Sequence, residues 1–281
     1  MAAKVWFITG CSRGFGLEWV TAALERGDKV VATARKLDAL KELSERYSSA
    51  LLPLELDVTN REAVFAAVDQ GYEHFGRLDV VINNAGYGLF GMVEEVSEAQ
   101  ARAQMETNFF GALWVTQAAL PHLRSQKSGH IIQVSSIGGI TAFPLVGLYH
   151  ASKWALEGLS QTLAQEVRPF GIHVTLIEPG GFATDWSGSS AAHAEALPAY
   201  DSFKRELAEQ RKKRWQPGDP AATRSALLKI VDAEKPPLRV FFGEAPLAIA
   251  KADYASRIAL WEEWSAVAIE AQGSNSNAKQ A

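Results

Sequence analysis

A chain of 281 residues with one cysteine, Cys11, has no means of forming an intramolecular disulfide or a cysteine-rich metal site. A reducing compartment suits it. Long apolar runs are missing too, and none approaches the ~20 residues that span a bilayer. The first apolar segment, Val5-Trp6-Phe7-Ile8, begins so near Met1 that no signal peptide fits before it, and a cytoplasmic location is the expectation. Positive charge is not in surplus, since 28 Lys and Arg face 32 Asp and Glu for a formal charge of -4. The sequence therefore offers no basic face for nucleic acid. What remains is the composition of an ordinary globular protein, 47% hydrophobic and 21% charged, long enough to bury a large core.

Seven short β-branched or apolar runs recur with helical stretches between them: Val5 to Thr9, Lys29 to Thr33, Leu51 to Leu56, Leu78 to Asn83, His130 to Ser135, Ile172 to Ile177 and Leu238 to Phe242. Their continuous hydrophobicity marks strands covered on both faces. Right-handed crossovers between them predict an α/β fold, a Rossmann-type doubly wound parallel sheet of about seven strands. Thr59 with Glu62, and Ser97 with Gln100, have the capping-box spacing of helix starts. One long helix is expected from Glu98 to Leu123, and another from Tyr149 to Val167 that Pro169 and Gly171 bring to an end. After Pro179-Gly180 the texture turns to Gly, Ser and Ala over 181–199, then to a charged helical stretch from Asp201 to Trp215. We expect a single domain over residues 1–272 with a lid over about 181–215, the charges from Lys204 to Arg214 forming a solvated face. The small polar residues 273–281 read as a disordered tail.

The turn after the first run, Thr9-Gly10-Cys11-Ser12-Arg13-Gly14-Phe15-Gly16, follows a strand and precedes a helix. Glycines there permit a tight turn and let backbone N–H groups approach a pyrophosphate at the helix N-terminus. The spacing is G-x-x-x-G-x-G, which differs from the common dinucleotide fingerprint, so the strand-to-helix context carries the reading. About 20 residues on, where an NAD-binding fold places a carboxylate, the chain has Thr33-Ala34-Arg35-Lys36. Arg35, joined by Arg13 from the turn, suits the 2′-phosphate of NADP, and NAD is the lesser fit. Charge-assisted hydrogen bonds are worth ~1.5 to 3 kcal/mol each, so two favour NADP by roughly a hundredfold before discounting for exposure.

Tyr149 and Lys153 lie four residues apart on one helix face, thirteen residues beyond Ser136. A tyrosine that shuttles protons near neutrality needs its pKa lowered by roughly 3 units from about 10, or about 4 kcal/mol. An exposed ion pair gives only ~0 to 1 kcal/mol, so the lysine must act in a water-poor cleft.

These residues resemble those of the short-chain dehydrogenases/reductases, over roughly Lys4 to Thr184. The resemblance rests on the glycine turn, Asp57-Val58, Asn83-Asn84-Ala85-Gly86, Asn108, Ser136, Tyr149, Lys153 and Pro179-Gly180-Gly181-Phe182-Ala183-Thr184. Within that family, Asn84-Ala85-Gly86-Tyr87-Gly88 and Glu178-Pro179-Gly180-Gly181-Phe182 look like the branch that includes 17β-hydroxysteroid dehydrogenases. The resemblance implies that Gly10, Ser12, Arg13, Gly14, Phe15, Gly16 and Arg35 bind the cofactor, that Asp57 and Val58 contact its adenine, and that Asn84, Ala85 and Gly86 line it. Pro179, Gly180, Phe182 and Thr184 would meet its nicotinamide end. It implies hydride transfer between nicotinamide and a carbonyl carbon, with Tyr149 as proton donor, Ser136 holding the oxygen, Lys153 lowering the tyrosine pKa and gripping the ribose, and Asn108 holding a water that relays protons. Family members often pair through the helices carrying Asn108 and Tyr149, so a homo-dimer or homo-tetramer is implied.

Tyr87, Phe90, Phe143, Phe182 and Trp186 fall in segments that would rim the cleft, which suits a hydrophobic ketone, aldehyde or alcohol. Trp261 and Trp264, three apart in a helical pattern, are expected against the core or a partner subunit. His150, about 100 degrees round the helix from Tyr149, reads as structural. Cys11 reads as a small filler in the glycine turn. An enoyl reductase or a sugar-nucleotide epimerase fits the spacings less well, and an NADP-binding sensor or scaffold without turnover stands as the alternative from another class.

Overall fold

The computed structural model describes residues 3–214 and 217–273. All seven runs become strands of one parallel sheet: β1 (Val5–Ile8), β2 (Lys29–Ala34), β3 (Leu51–Glu55), β4 (Val80–Asn83), β5 (Gly129–Val134), β6 (Ile172–Pro179) and β7 (Arg239–Phe242). They lie in the order β3-β2-β1-β4-β5-β6-β7. Phe7 pairs with Val31 on one side and Val81 on the other, and Ile131 with Val174, so the most apolar strands occupy the middle.

Each face of the sheet is roofed by helices. Trp6, Ile8, Val30, Ala32, Ile82 and Ile177 pack toward α1 (Gly14–Glu25) and a later helix over Thr223–Val231. Val5, Phe7, Val31, Val81 and Val174 pack on the other side. There they meet α3 (Arg61–Phe75) and the segments reaching to Val167, while α2 (Lys41–Arg46) is a short surface turn. Trp19 of α1 is fully buried, stacks on Phe15 at 5.3 Å and donates from Nε1 to Thr223 Oγ1 at 2.9 Å. Trp19→Ala leaves a large void and a lost hydrogen bond, and is expected to cost ~3–5 kcal/mol of stability, read as a lowered urea midpoint.

The predicted helix over Glu98 to Leu123 is broken in two. α4 (Glu98–Met105) begins at Ser97, whose capping box with Gln100 forms as expected. A π-helical turn over Glu106–Phe110 then widens the backbone, and α5 (Gly111–Gln126) resumes. The other capping box does not form: Asn60 caps α3 by accepting from Ala63 N at 3.0 Å, while Thr59 is held by Asp57 Oδ1. α6 (Gly147–Val167) starts two residues before Tyr149.

The lid region is more ordered than its composition suggests. Leu89–Phe90 and Ala192–His193 form a short parallel ladder, followed by α7 (Asp201–Arg214). Glu95, with its side chain out of solvent, anchors this region by accepting from Leu197 N at 2.7 Å and Met92 N at 2.8 Å and by pairing with Lys204. Those bonds hold its carboxyl well down, at about 2, with Lys204 the largest cause. Lys204 is thus not merely part of a solvated face. Trp215 and the tail beyond Gly273 lie outside the described residues.

The chain ends in α8 (Thr223–Val231), α9 (Ala245–Glu263) and α10 (Ser265–Gln272). Trp261 and Trp264 are 62% and 58% exposed, so of the two expected places, the core or a partner subunit, the core is ruled out. No helix among the described residues is long and apolar enough to cross a membrane.

Candidate active site

The strand order reverses between β1 and β4, which opens a crevice beyond their carboxyl ends. The glycine turn leaves β1 there and Asn84-Ala85-Gly86 leaves β4. Thr9 Oγ1 binds them together by accepting from Asn84 N and Ala85 N, both at 3.0 Å, and Asn84 Nδ2 returns bonds to Thr9 O and Gly10 O. Gly10 has φ +68, and a Cβ there would lie 2.8 Å from Ala85 Cα. A Cβ on Gly16 would lie 2.6 Å from Asn84 Nδ2. Asn84 therefore acts as the brace that holds the turn open.

α1 begins at Arg13 with no side-chain cap and no acidic residue in its first turn. Its free N–H groups and positive dipole end point into the crevice, as a pyrophosphate site requires. The glycine cradle and the uncapped helix fit a dinucleotide. Thr184, after β6, closes the same place from above: a Cβ on Gly14 would come 3.6 Å from its Cγ2. Ser12 is half-buried in the turn. Cys11 is fully buried, its thiol donates to Ile8 O, and burial pushes its pKa far up, leaving it the inert filler its position suggested.

The two arginines are placed differently. Arg35 is exposed at the end of β2, makes no ion pair among the described residues, and lies near enough to Tyr87 for its charge to act on that phenol. Arg13 is drawn to the lid, where it pairs with Asp185 and donates to Ser189 Oγ at 3.2 Å. Asp185 also accepts from the Ser190 and Ser189 hydroxyls, and these bonds, with Arg13, hold its carboxyl far below the usual range. Asp57 is exposed at the end of β3 and Val58 is buried against Gly111, where a Cβ would lie 2.7 Å from the valine.

Ser136 leaves β5 as the cap of a short turn, its Oγ accepting from Gly138 N at 3.0 Å. Tyr149 and Lys153 project from α6 and are 7% and 6% exposed. Burial pushes the Tyr149 phenol up to about 12, opposed by a hydrogen bond with Ser136. Burial also brings Lys153 down to about 8, opposed by the charge of Glu157. Lys153 Nζ donates to Val134 O at 2.8 Å and sits 5.8 Å from the Tyr149 ring centroid, so its charge is spent on a carbonyl.

Asn108 occupies the π-turn and is buried. It donates to Tyr87 O at 3.0 Å and Ser152 Oγ at 3.1 Å, and accepts from Tyr87 N at 3.0 Å. These bonds clamp the loop after β4 to α6. A Cβ on Gly86 would lie 3.1 Å from Asn108 Oδ1 and 3.7 Å from Lys153 Nζ, which puts α6 against the crevice.

Above Tyr149 the lid lays Trp186 edge-on at 5.0 Å, and Phe90 packs against Trp186 at 5.1 Å. Phe143 is 40% exposed beside His150, whose Nδ1 accepts from Phe143 N. His150 is structural, as read from its angle. Phe182 departs from the expected rim: its ring meets Phe15 at 5.0 Å, and both partly buried rings pack on the core beside α1. Pro179 is buried at the end of β6, and Gly180 N donates to Phe242 O.

Reading the sequence missed a buried acidic cluster behind the site. Glu157 and Glu178 are 5% and 1% exposed and share Arg239. Glu157 stands at the same four-residue step from Lys153 as Lys153 from Tyr149, which was the available signal.

A family model described as short chain dehydrogenase matches residues 4–195. The chain is 44% identical over 266 residues to Oxidoreductase BOA17 of Botryotinia fuckeliana, covering 93% of this chain and 96% of that protein. It is 39% identical over 246 residues to a 3-ketodihydrosphingosine reductase of Bacteroides thetaiotaomicron, covering 86% and 89%. Among solved structures, a short chain dehydrogenase from Burkholderia cenocepacia in complex with NADP aligns with a TM-score of 0.74 at 28% identity, covering 93% of this chain and 97% of that one.

Proposed function

We propose that this chain, which belongs to the short-chain dehydrogenase family, is an NADP(H)-dependent oxidoreductase that interconverts a carbonyl and an alcohol on a hydrophobic substrate. The observation that carries the reading is the buried Tyr149, with Ser136 close enough to act on its phenol, beneath Trp186 and on a helix held against the glycine crevice. Gly10 to Gly16, Asn84 to Gly86, Thr184 and Lys153 hold the dinucleotide, and Arg35 with Arg13 takes the 2′-phosphate. The bound dinucleotide supplies or accepts the hydride.

The chain's own residues handle the oxygen. Ser136 donates a hydrogen bond to the carbonyl oxygen, and Tyr149 gives it a proton as negative charge develops there. A phenol raised to about 12 is fully protonated at neutral pH, the state a proton donor requires. Lys153, charged in a dry pocket, lowers the cost of the tyrosinate left behind once its Nζ turns from Val134 O toward the ribose. Trp186, Phe90 and Phe143 favour an apolar substrate, and one relative's name specifies reduction of a keto compound.

The test is consumption of NADPH and NADH by purified protein over a panel of aryl ketones, aldehydes and steroid ketones. Turnover with preference for NADPH is expected. Turnover with NADH alone removes the cofactor assignment, and tight NADPH binding without turnover across the panel favours the sensor alternative.

A further inference from the structure

Tyr149, Lys153 and Glu157 form one stripe along α6, each four residues from the next. At its lower end Glu157 Oε2 accepts from Arg239 Nε at 2.9 Å, and the same nitrogen is 3.4 Å from Glu178 Oε1. Arg239 Nη2 is taken by Gln161 Oε1 at 2.9 Å. One guanidinium thus faces two carboxyls. Glu157 Oε1 and both Glu178 oxygens are buried without a donor, and Ser135 Oγ is likewise without one.

Two carboxylates cannot both stay charged in such a site when one cation is shared between them. A single proton resolves the geometry. Carried by Glu178, it supplies the missing donor to Glu157 and leaves Glu157 ionised against Arg239. Burial and the neighbouring Glu157 charge push Glu178 up to about 8, which agrees with that assignment. A cavity of about 530 Å³, lined by Gln161, Glu178, Arg239, Lys251 and Tyr254, reaches Glu178 and Arg239 from the α9 side. Protons can therefore enter Glu178 without crossing the active-site crevice.

Lys153 has no carboxylate of its own in hydrogen-bond contact, its Nζ being bonded to the Val134 carbonyl. Glu157 is the charged group that acts on Lys153, with Tyr149 one turn above on α6; Glu157 in turn meets Glu178 of β6 and Arg239 of β7, and Lys251 and Tyr254 of α9 line the cavity beside those two. We propose that Glu157 is a positioning residue for Lys153, a buried carboxylate one helical turn below that keeps the ammonium charged, with Glu178 holding the shared proton and Arg239 the fixed counter-charge. The inference rests on the proposed function for the meaning of that charge, and on the four-residue step along α6 and the buried Glu157–Arg239–Glu178 cluster for its source.

The test follows Lys153 directly by NMR of protein labelled at the lysine ε-carbon, its resonance assigned by loss in Lys153→Met. Removing the Glu157 charge leaves only desolvation acting on the ammonium, so in Glu157→Gln the Lys153 titration is expected to fall by roughly one pH unit or more. Glu178→Gln keeps a neutral donor beside an already ionised Glu157 and removes a carboxyl that ionises only at about 8, so it is expected to leave the Lys153 titration unchanged or slightly lowered. The alkaline limb of kcat for carbonyl reduction should follow each shift in the same direction, and Glu157→Asp should restore it. An unchanged or raised Lys153 titration in folded Glu157→Gln overturns the proposal. If that variant does not fold, Glu178→Gln decides alone, with an upward shift overturning the proposal, because it would mean that Glu157 carries the proton in the unsubstituted protein and does not hold the ammonium charged. Absence of turnover by the unsubstituted protein would remove the proposed reaction and leave the titration result standing.

Discussion

Tyr149→Phe is expected to lower kcat for carbonyl reduction by roughly 10²- to 10⁴-fold while NADPH still binds. That range corresponds to about 3–5 kcal/mol of transition-state stabilisation. The substitution removes one oxygen and keeps the ring, so the edge contact with Trp186 at 5.0 Å and the packing of α6 survive. Lys153 also keeps its place, since its bond runs to Val134 O and not to the phenol. The loss therefore reports proton transfer and not a collapsed site. Steady-state kinetics on a substrate from the panel, with coenzyme affinity by fluorescence titration, separates the two. Unchanged reduction by the variant would take Tyr149 out of the mechanism and transfer the donor role to Ser136 or water.

The sheet was legible because its strands are buried on both faces, so Val5 to Ile8 or His130 to Val134 carry no alternation to confuse with a helix. The grouping of Ser136, Tyr149 and Lys153 was legible because the three are tied by short, fixed spacings. Features that depend on a change of hydrogen-bond partner were not. The π-turn at Glu106–Phe110 shifts backbone bonding by one residue and leaves no mark in composition, yet it sets Asn108 against the Tyr87 peptide. The start of α3 was misplaced by one residue because Asp57, Thr59 and Asn60 are all capping types, and Asp57 captures Thr59 first. Contacts between distant segments were beyond reach: nothing near Arg13 announces Asp185, 172 positions away. Glu178 was hidden differently, one residue past the expected strand Ile172 to Ile177 and inside the Glu178-Pro179-Gly180-Gly181-Phe182 segment. Its burial becomes intelligible only once Arg239 and Glu157 are in place around it.

Replacing Arg13 and Arg35 together by alanine is expected to abolish the preference for NADPH over NADH by a hundredfold or more, with NADH affinity little changed. Each charge-assisted bond to the 2′-phosphate is worth ~1.5–3 kcal/mol, and the phosphate is the only group that distinguishes the coenzymes. The two arginines should not contribute equally. Arg35 makes no competing ion pair among the described residues, so its full interaction is available. Arg13 must first leave Asp185 and Ser189. Because Arg13 is 55% exposed, that pair is screened and breaking it costs little, which leaves Arg13 a smaller but real share. The expected order of loss is the double variant, then Arg35→Ala, then Arg13→Ala, and Asp185→Asn should strengthen NADPH binding by freeing Arg13. Dissociation constants for both coenzymes across these variants decide the matter. An unchanged NADPH to NADH ratio in the double variant would mean that the 2′-phosphate lies elsewhere, with Lys36 as the nearest remaining cation in sequence at the end of β2.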